Sequence, residues 1–142
     1  MDLQLKGRTA LVTGASQGLG RAIALGMAAE GLKVAAVARR MDLLEDLRVE
    51  ILKAGGLEPA LIQADLYPEG AAEGIAERAV KALGRVDVLV NAAGGSRPLP
   101  VSAPKEQWME GLTLNFFRLR ELTEALVGGM QANKFEIGRA HV

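Results

Sequence analysis

The segment Thr13-Gly14-Ala15-Ser16-Gln17-Gly18-Leu19-Gly20 stands between an apolar run, Thr9 to Val12, and a helical pattern from Arg21 onward. A strand that feeds a glycine-rich turn and then a helix aims several backbone N–H groups and the positive end of the helix dipole at one point, where a pyrophosphate can sit. Gly14 permits the sharp exit from the strand, Gly18 lets the backbone approach a phosphate without a Cβ in the way, and Gly20 lets the helix pack close to the sheet. Gly14, Ser16, Gln17, Gly18, Leu19 and Gly20 are therefore the candidate phosphate contacts. The spacing is G-x-x-x-G-x-G, which departs from the common dinucleotide pattern G-x-G-x-x-G, so the turn needs support from elsewhere in the chain.

That support is the order of elements. Gly18 to Glu30 reads as a helix with Leu19, Ile23 and Met27 on one stripe and Gly31 as its stop. Val34 to Ala38 is a short apolar run suited to a strand buried on both faces. Met41 to Ala54 is amphipathic, with Leu43, Leu44, Leu47, Ile51 and Leu52 inward, and Gly55-Gly56 ends it. Leu57 to Gln63 is a third strand, Glu69 to Leu83 a third helix, Val86 to Asn91 a fourth strand, and a final helical stretch runs from near Pro104 to about Ala132. Such alternation implies right-handed crossovers and a doubly wound parallel α/β sheet of Rossmann type, here four strands wide and truncated after the helix that follows the fourth. Ligands in such sheets bind at the carboxyl ends of the strands. Those ends are the glycine turn, Ala38-Arg39-Arg40, Ala64-Asp65-Leu66 and Asn91-Ala92-Ala93-Gly94.

With these four strand ends the chain resembles the short-chain dehydrogenase/reductase family over residues 3 to about 135. The family's T-G-x-x-x-G-x-G turn is Thr13 to Gly20, its acidic residue after the third strand is Asp65, and its N-N-A-G motif is Asn91 to Gly94, with Ala92 in place of the second Asn. Trp108 and Asn115 resemble the helix that carries the family's first catalytic residue, an Asn that bends the helix and holds a water in a proton relay to the active-site lysine. The resemblance implies that Asp65, Leu66, Asn91, Ala92 and Gly94 line the cofactor. Read without it, Asp65 serves equally as a helix N-cap, Asn115 as a polar residue satisfied by helix backbone, and Trp108 as core.

An acid at the end of the second strand would bond a ribose 2′-hydroxyl and repel a 2′-phosphate, whereas arginine grips that phosphate. Ala38 stands where NAD-selective family members carry Asp, and Arg39 and Arg40 follow, so NADP(H) is expected over NAD(H). The alternative is a pair of solvated residues at a helix start. The resemblance implies an oxidoreductase that interconverts an alcohol and a carbonyl of a small molecule, homo-oligomeric at full length. The family's catalytic Ser and Tyr-x-x-x-Lys are missing: the only tyrosine is Tyr67, and four positions on stands Ala71. The 142-residue chain is thus expected to be inactive by itself. A silent dinucleotide-binding module for sensing or scaffolding is the alternative.

Lys plus Arg and Asp plus Glu number 17 each, with no like-charge block, which gives no reason to expect a nucleic-acid or membrane-surface partner. The absence of cysteine excludes disulfides and thiolate chemistry, and with no signal peptide or spanning run in view a cytoplasmic location is expected. His141 has no neighbouring ligands, so no metal site is expected. Residues 1–135 form the cofactor-binding part of one domain, and 136–142 are expected to be non-native. Ile137 to Val142 can be encoded by ATC GGA AGA GCA CAC GTC, which resembles a short-read sequencing adapter whose next in-frame codon is TGA.

Overall fold

The computed structural model describes residues 2–95 and 98–133; the expected non-native tail lies outside the described residues. Four parallel strands, β1 (Thr9–Thr13), β2 (Lys33–Ala38), β3 (Ala60–Gln63) and β4 (Val88–Val90), form one sheet in the order β3-β2-β1-β4. Helices α1 (Gly18–Ala29), α2 (Met41–Lys53) and α3 (Ala71–Leu83) connect them, and α4 (Lys105–Leu112) follows β4. After α4 the helix passes through one π-helical turn, Thr113–Phe117, into α5 (Arg118–Ala132). The chain crosses back between β3 and β4, which places β4 against β1 on the far side from β2. That junction is the switch point where open α/β sheets bind ligands.

The period-two alternation of the strands divides the apolar residues into two cores. Leu11, Ala35, Val37 and Ile62 face α3 and α5, where they meet Ile75, Ala79, Leu122 and Leu126. Val12, Val34, Ala36 and Ala38 face α1 and α2, where they meet Ala24, Ala28, Leu44, Leu47 and Ile51. On α1 the buried stripe is Gly20, Ala24 and Ala28, while Leu19 is 74% exposed. The expected stripe of Leu19, Ile23 and Met27 is thus rotated by one residue, because an ideal Cβ on Gly20 would stand 2.2 Å from the Gly14 carbonyl oxygen and only small residues allow that approach. On α2, Leu44, Leu47 and Ile51 are buried as expected, whereas Leu52 is exposed.

Element boundaries shift for local reasons. β3 begins at Ala60 because Pro59 has no N–H to donate to a ladder. Helix α3 begins at Ala71 because Gly70 sits in the left-handed region at φ 81°. Strand β4 has only three residues, and side chains extend its pairing at both ends. At the base, Asp87, 1% exposed, accepts from the Thr9 N–H at 3.0 Å and pairs with Arg85 at 3.1 Å, while the Asp87 N–H donates to Thr9 Oγ1 at 3.1 Å. Trp108 is a correction: it is 46% exposed, since α4 buries none of its residues against the described chain. No described helix is long and apolar enough to cross a membrane.

Candidate cofactor site

The carboxyl ends of β1, β2, β3 and β4 form one rim, and the β1 turn is its floor. Gly14 adopts φ 65°, and an ideal Cβ there would lie 2.6 Å from the Ala92 carbonyl oxygen. Glycine is thus required twice at this position, for conformation and for space. Gly18 adopts φ 61° with nothing within 4 Å of an ideal Cβ, so its backbone borders open space. Gln17 precedes α1 in extended conformation without capping it, and the first turn of α1 carries no acid. The first N–H groups of α1, among them those of Leu19 and Gly20, are left for an anion. Ser16 is half-buried beside them.

Thr13, fully buried, ties β1 to the exit of β4. Its Oγ1 accepts from the N–H groups of Ala92 at 3.2 Å and Ala93 at 3.1 Å and donates to the Val90 carbonyl at 3.3 Å. Asn91 turns its amide the other way and donates to Thr123 Oγ1 on α5 at 3.1 Å, so its amide nitrogen is engaged with the helix. Ala92 meets the glycine turn with backbone alone.

The two arginines after β2 differ. Arg40 forms a two-pronged pair with Asp42, Nη2 to Oδ2 at 2.5 Å and Nε to Oδ1 at 3.2 Å. Hydrogen bonding to Asp42 holds the Arg40 guanidinium above its ordinary value and in return lowers the Asp42 carboxyl. Arg39 is exposed, and no described residue pairs with its guanidinium; its carbonyl is pinned by Gln63 Nε2 at 3.1 Å. Across the rim, Asp65 Oδ1 accepts from the Tyr67 N–H at 3.0 Å. It closes its own turn and caps no helix, since α3 starts beyond Gly70. Its second oxygen has no donor among the described residues. Leu66, 5% exposed, anchors that turn in the core.

Asn115 lies in the π-helical turn. Its Oδ1 accepts from the Gly95 N–H at 3.0 Å, and its Nδ2 donates to the Gly95 carbonyl at 2.7 Å and the Gly111 carbonyl at 2.9 Å. An ideal Cβ on Gly94 would lie 2.6 Å from that Oδ1, so Gly94 is what admits the clamp. The bend that the resemblance implies at Asn115 is this π-helical turn, whereas the hydroxyl bonds of Thr13 have no direct signal in the sequence. The one available clue was Asp87, a charge within an apolar run, which calls for buried partners.

The short chain dehydrogenase family model matches residues 8–138. The chain is 35% identical over 139 residues to glycine betaine reductase of Emericella nidulans, covering 97% of this chain and 11% of that protein. It is 32% identical over 132 residues to 7alpha-hydroxysteroid dehydrogenase of Escherichia coli, covering 93% and 51%. A solved 7 alpha-hydroxysteroid dehydrogenase complexed with NADH and 7-oxo glycochenodeoxycholic acid superposes with TM-score 0.87 at 32% identity, over 93% of this chain and 51% of that one. L-sorbose reductase from Gluconobacter frateurii, complexed with NADPH and L-sorbose, gives TM-score 0.85 at 31% identity, over 94% and 51%. The chain thus spans about half the length of the hydroxysteroid dehydrogenase and of the sorbose reductase, and a smaller share of the betaine reductase. With its four-stranded parallel sheet, its glycine turn and this match over nearly all its length, the chain belongs to the short-chain dehydrogenase family of NAD(P)-binding oxidoreductases.

Proposed function

We propose that this chain is the cofactor half of an NADP(H)-dependent oxidoreductase that interconverts an alcohol and a carbonyl on a small molecule. The observation that carries the cofactor choice is the unpaired guanidinium of Arg39 at the end of β2, with Ala38 where an acid would reject a 2′-phosphate. The described residues fit a dinucleotide. Gly14, Ser16, Gln17, Gly18, Leu19 and Gly20 would hold the pyrophosphate at the uncapped start of α1, and Arg39 the 2′-phosphate, with Arg40 behind it. Asp65 would accept from the adenine amino group with its unpaired oxygen, over Leu66. Asn91, Ala92 and Gly94 would border the nicotinamide side. When bound, the nicotinamide supplies or accepts a hydride.

Asn115 acts here as a positioning residue, because both of its amide atoms are engaged with Gly95 and Gly111. The relay water that the family resemblance implies would then be held by backbone of the π-helical turn, a feature that recurs at functional sites. The family's Ser and Tyr-x-x-x-Lys are not among these 142 residues, so the groups named here would bind and orient the cofactor without themselves supplying the proton. The test is to read the source locus past the codon for Phe135 and titrate the resulting protein with NADPH and NADH. Coding sequence through Ser and Tyr-x-x-x-Lys, with tighter NADPH binding, is expected. A native stop codon directly after that for Val142 would refute both the enzyme reading and the non-native tail.

A further inference from the structure

We propose that Arg118 is a positioning residue for the adenine side of the cofactor site. The side chain opens α5, is 15% exposed, and reaches away from its own helix to donate from Nε to the Tyr67 carbonyl at 2.8 Å. Its Nη1 is held by both carboxylate oxygens of Glu121, at 3.0 and 3.2 Å, which fixes the fork so that Nε faces the loop after β3. Tyr67 is the residue whose N–H closes the turn on Asp65 Oδ1 at 3.0 Å. One residue is thereby gripped at its N–H by Asp65 and at its C=O by Arg118. The direction of the second Asp65 oxygen, the one left for a ligand, depends on where that residue stands.

The π-helical turn explains why residue 118 can do this. Each residue advances an α-helix by about 100°, so the extra residue accommodated between Thr113 and Phe117 rotates everything after it by about that angle relative to α4. The distortion that seats Asn115 on Gly95 therefore also aims Arg118 at Tyr67. Deeper in the same helix, Leu122 shares a core with Leu66, so the loop is held by packing below and by the guanidinium above.

The inference rests on Asp65 being the adenine contact, and the experiment separates the two. Dissociation constants for ADP-ribose and for nicotinamide mononucleotide are measured on the full chain as wild type, Arg118→Ala, Arg118→Lys, Glu121→Gln and Asp65→Ala, together with hydrogen exchange at the Tyr67 amide. Arg118→Ala is expected to weaken ADP-ribose about tenfold, as for loss of one charge-assisted hydrogen bond, and to leave nicotinamide mononucleotide within about twofold. Its Tyr67 amide exchanges faster while those of Leu11 and Val12 keep their protection. Arg118→Lys and Glu121→Gln give smaller losses in the same direction, and they carry the test if the alanine variant does not fold. Equal losses for both ligands, or an unchanged Tyr67 amide, would overturn the proposal and leave Arg118 merely structural. If Asp65→Ala weakens ADP-ribose while Arg118→Ala does not, this proposal alone fails. If Asp65→Ala leaves ADP-ribose unchanged, the adenine reading fails and takes the proposal with it.

Discussion

Replacing Arg39 with alanine isolates the group on which the cofactor choice depends. Its guanidinium has no partner among the described residues, so the substitution breaks no internal ion pair, and the sheet beneath it, with Ala38 8% exposed, keeps its packing. A charge-assisted hydrogen bond is worth about 1.5–3 kcal/mol. Because Arg39 is exposed, the low end applies, about 1.5 kcal/mol or roughly tenfold in the dissociation constant of NADP(H). Arg40 cannot readily substitute, since both prongs of its guanidinium are on Asp42. NAD(H), which lacks the phosphate, should bind the variant as it binds the wild type. The assay is a titration of both cofactors against a protein carrying the complete domain, at low and at moderate salt. The tenfold loss should shrink as salt screens the wild-type contact. Equal losses for the two cofactors would refute the reasoning, because they would mean that Arg39 shapes the site and does not discriminate.

Asp42→Asn should act in the opposite direction by releasing Arg40, tightening NADP(H) about two- to fivefold, on the scale of an exposed ion pair, with NAD(H) unmoved; tighter NAD(H) would count against it. Gly14→Ala should abolish binding of either cofactor and lower the melting temperature, because a Cβ would meet the Ala92 carbonyl at 2.6 Å in a backbone at φ 65°. A variant with native affinity and melting temperature would show that the turn can relax. Thr13→Val should cost about 1–2 kcal/mol in chemical denaturation, since the Ala93 N–H loses its acceptor while the Ala92 N–H keeps the Val90 carbonyl at 3.2 Å. A loss under about 0.5 kcal/mol would mean that the Ala93 N–H finds another partner.

The alternating elements were legible because each leaves a period in the sequence: small or β-branched runs for the buried strands, and amphipathic stripes with glycine stops for the helices. The stripe of α1 was misplaced because size outranked hydrophobicity where the helix lies against the Gly14 carbonyl. The resemblance implied a bent helix at Asn115, but the form of the bend, one extra residue between Thr113 and Phe117, changes neither composition nor propensity and is visible only in the structure. At the rim the residue types were legible, but their engagements were not. Arg39 and Arg40 read as equivalent until Asp42 took one of them, and Asp65 read as a possible cap until its turn closed on Tyr67.

Strand β4 sets the width of the crevice, yet three paired residues are a weak guarantee of its position. The chain compensates with two threonines four positions apart on β1, which by the strand's period of two project from the same face. Thr9 fixes the base of β4 through the buried carboxylate of Asp87, and Thr13 fixes its exit through the N–H groups of Ala92 and Ala93. A slip of one residue along β4 would set Val88 in place of Asp87, leaving the Thr9 N–H without that acceptor and the carboxylate without its Thr9 donors. Both penalties fall on buried groups, where unpaired polar atoms cost most. Register at the switch point is thus enforced by hydroxyls and one carboxylate more than by the length of the ladder. The same bonds hold the Ala92 carbonyl against Gly14, so the features that align β4 also bring the glycine turn and the fourth strand end into one rim.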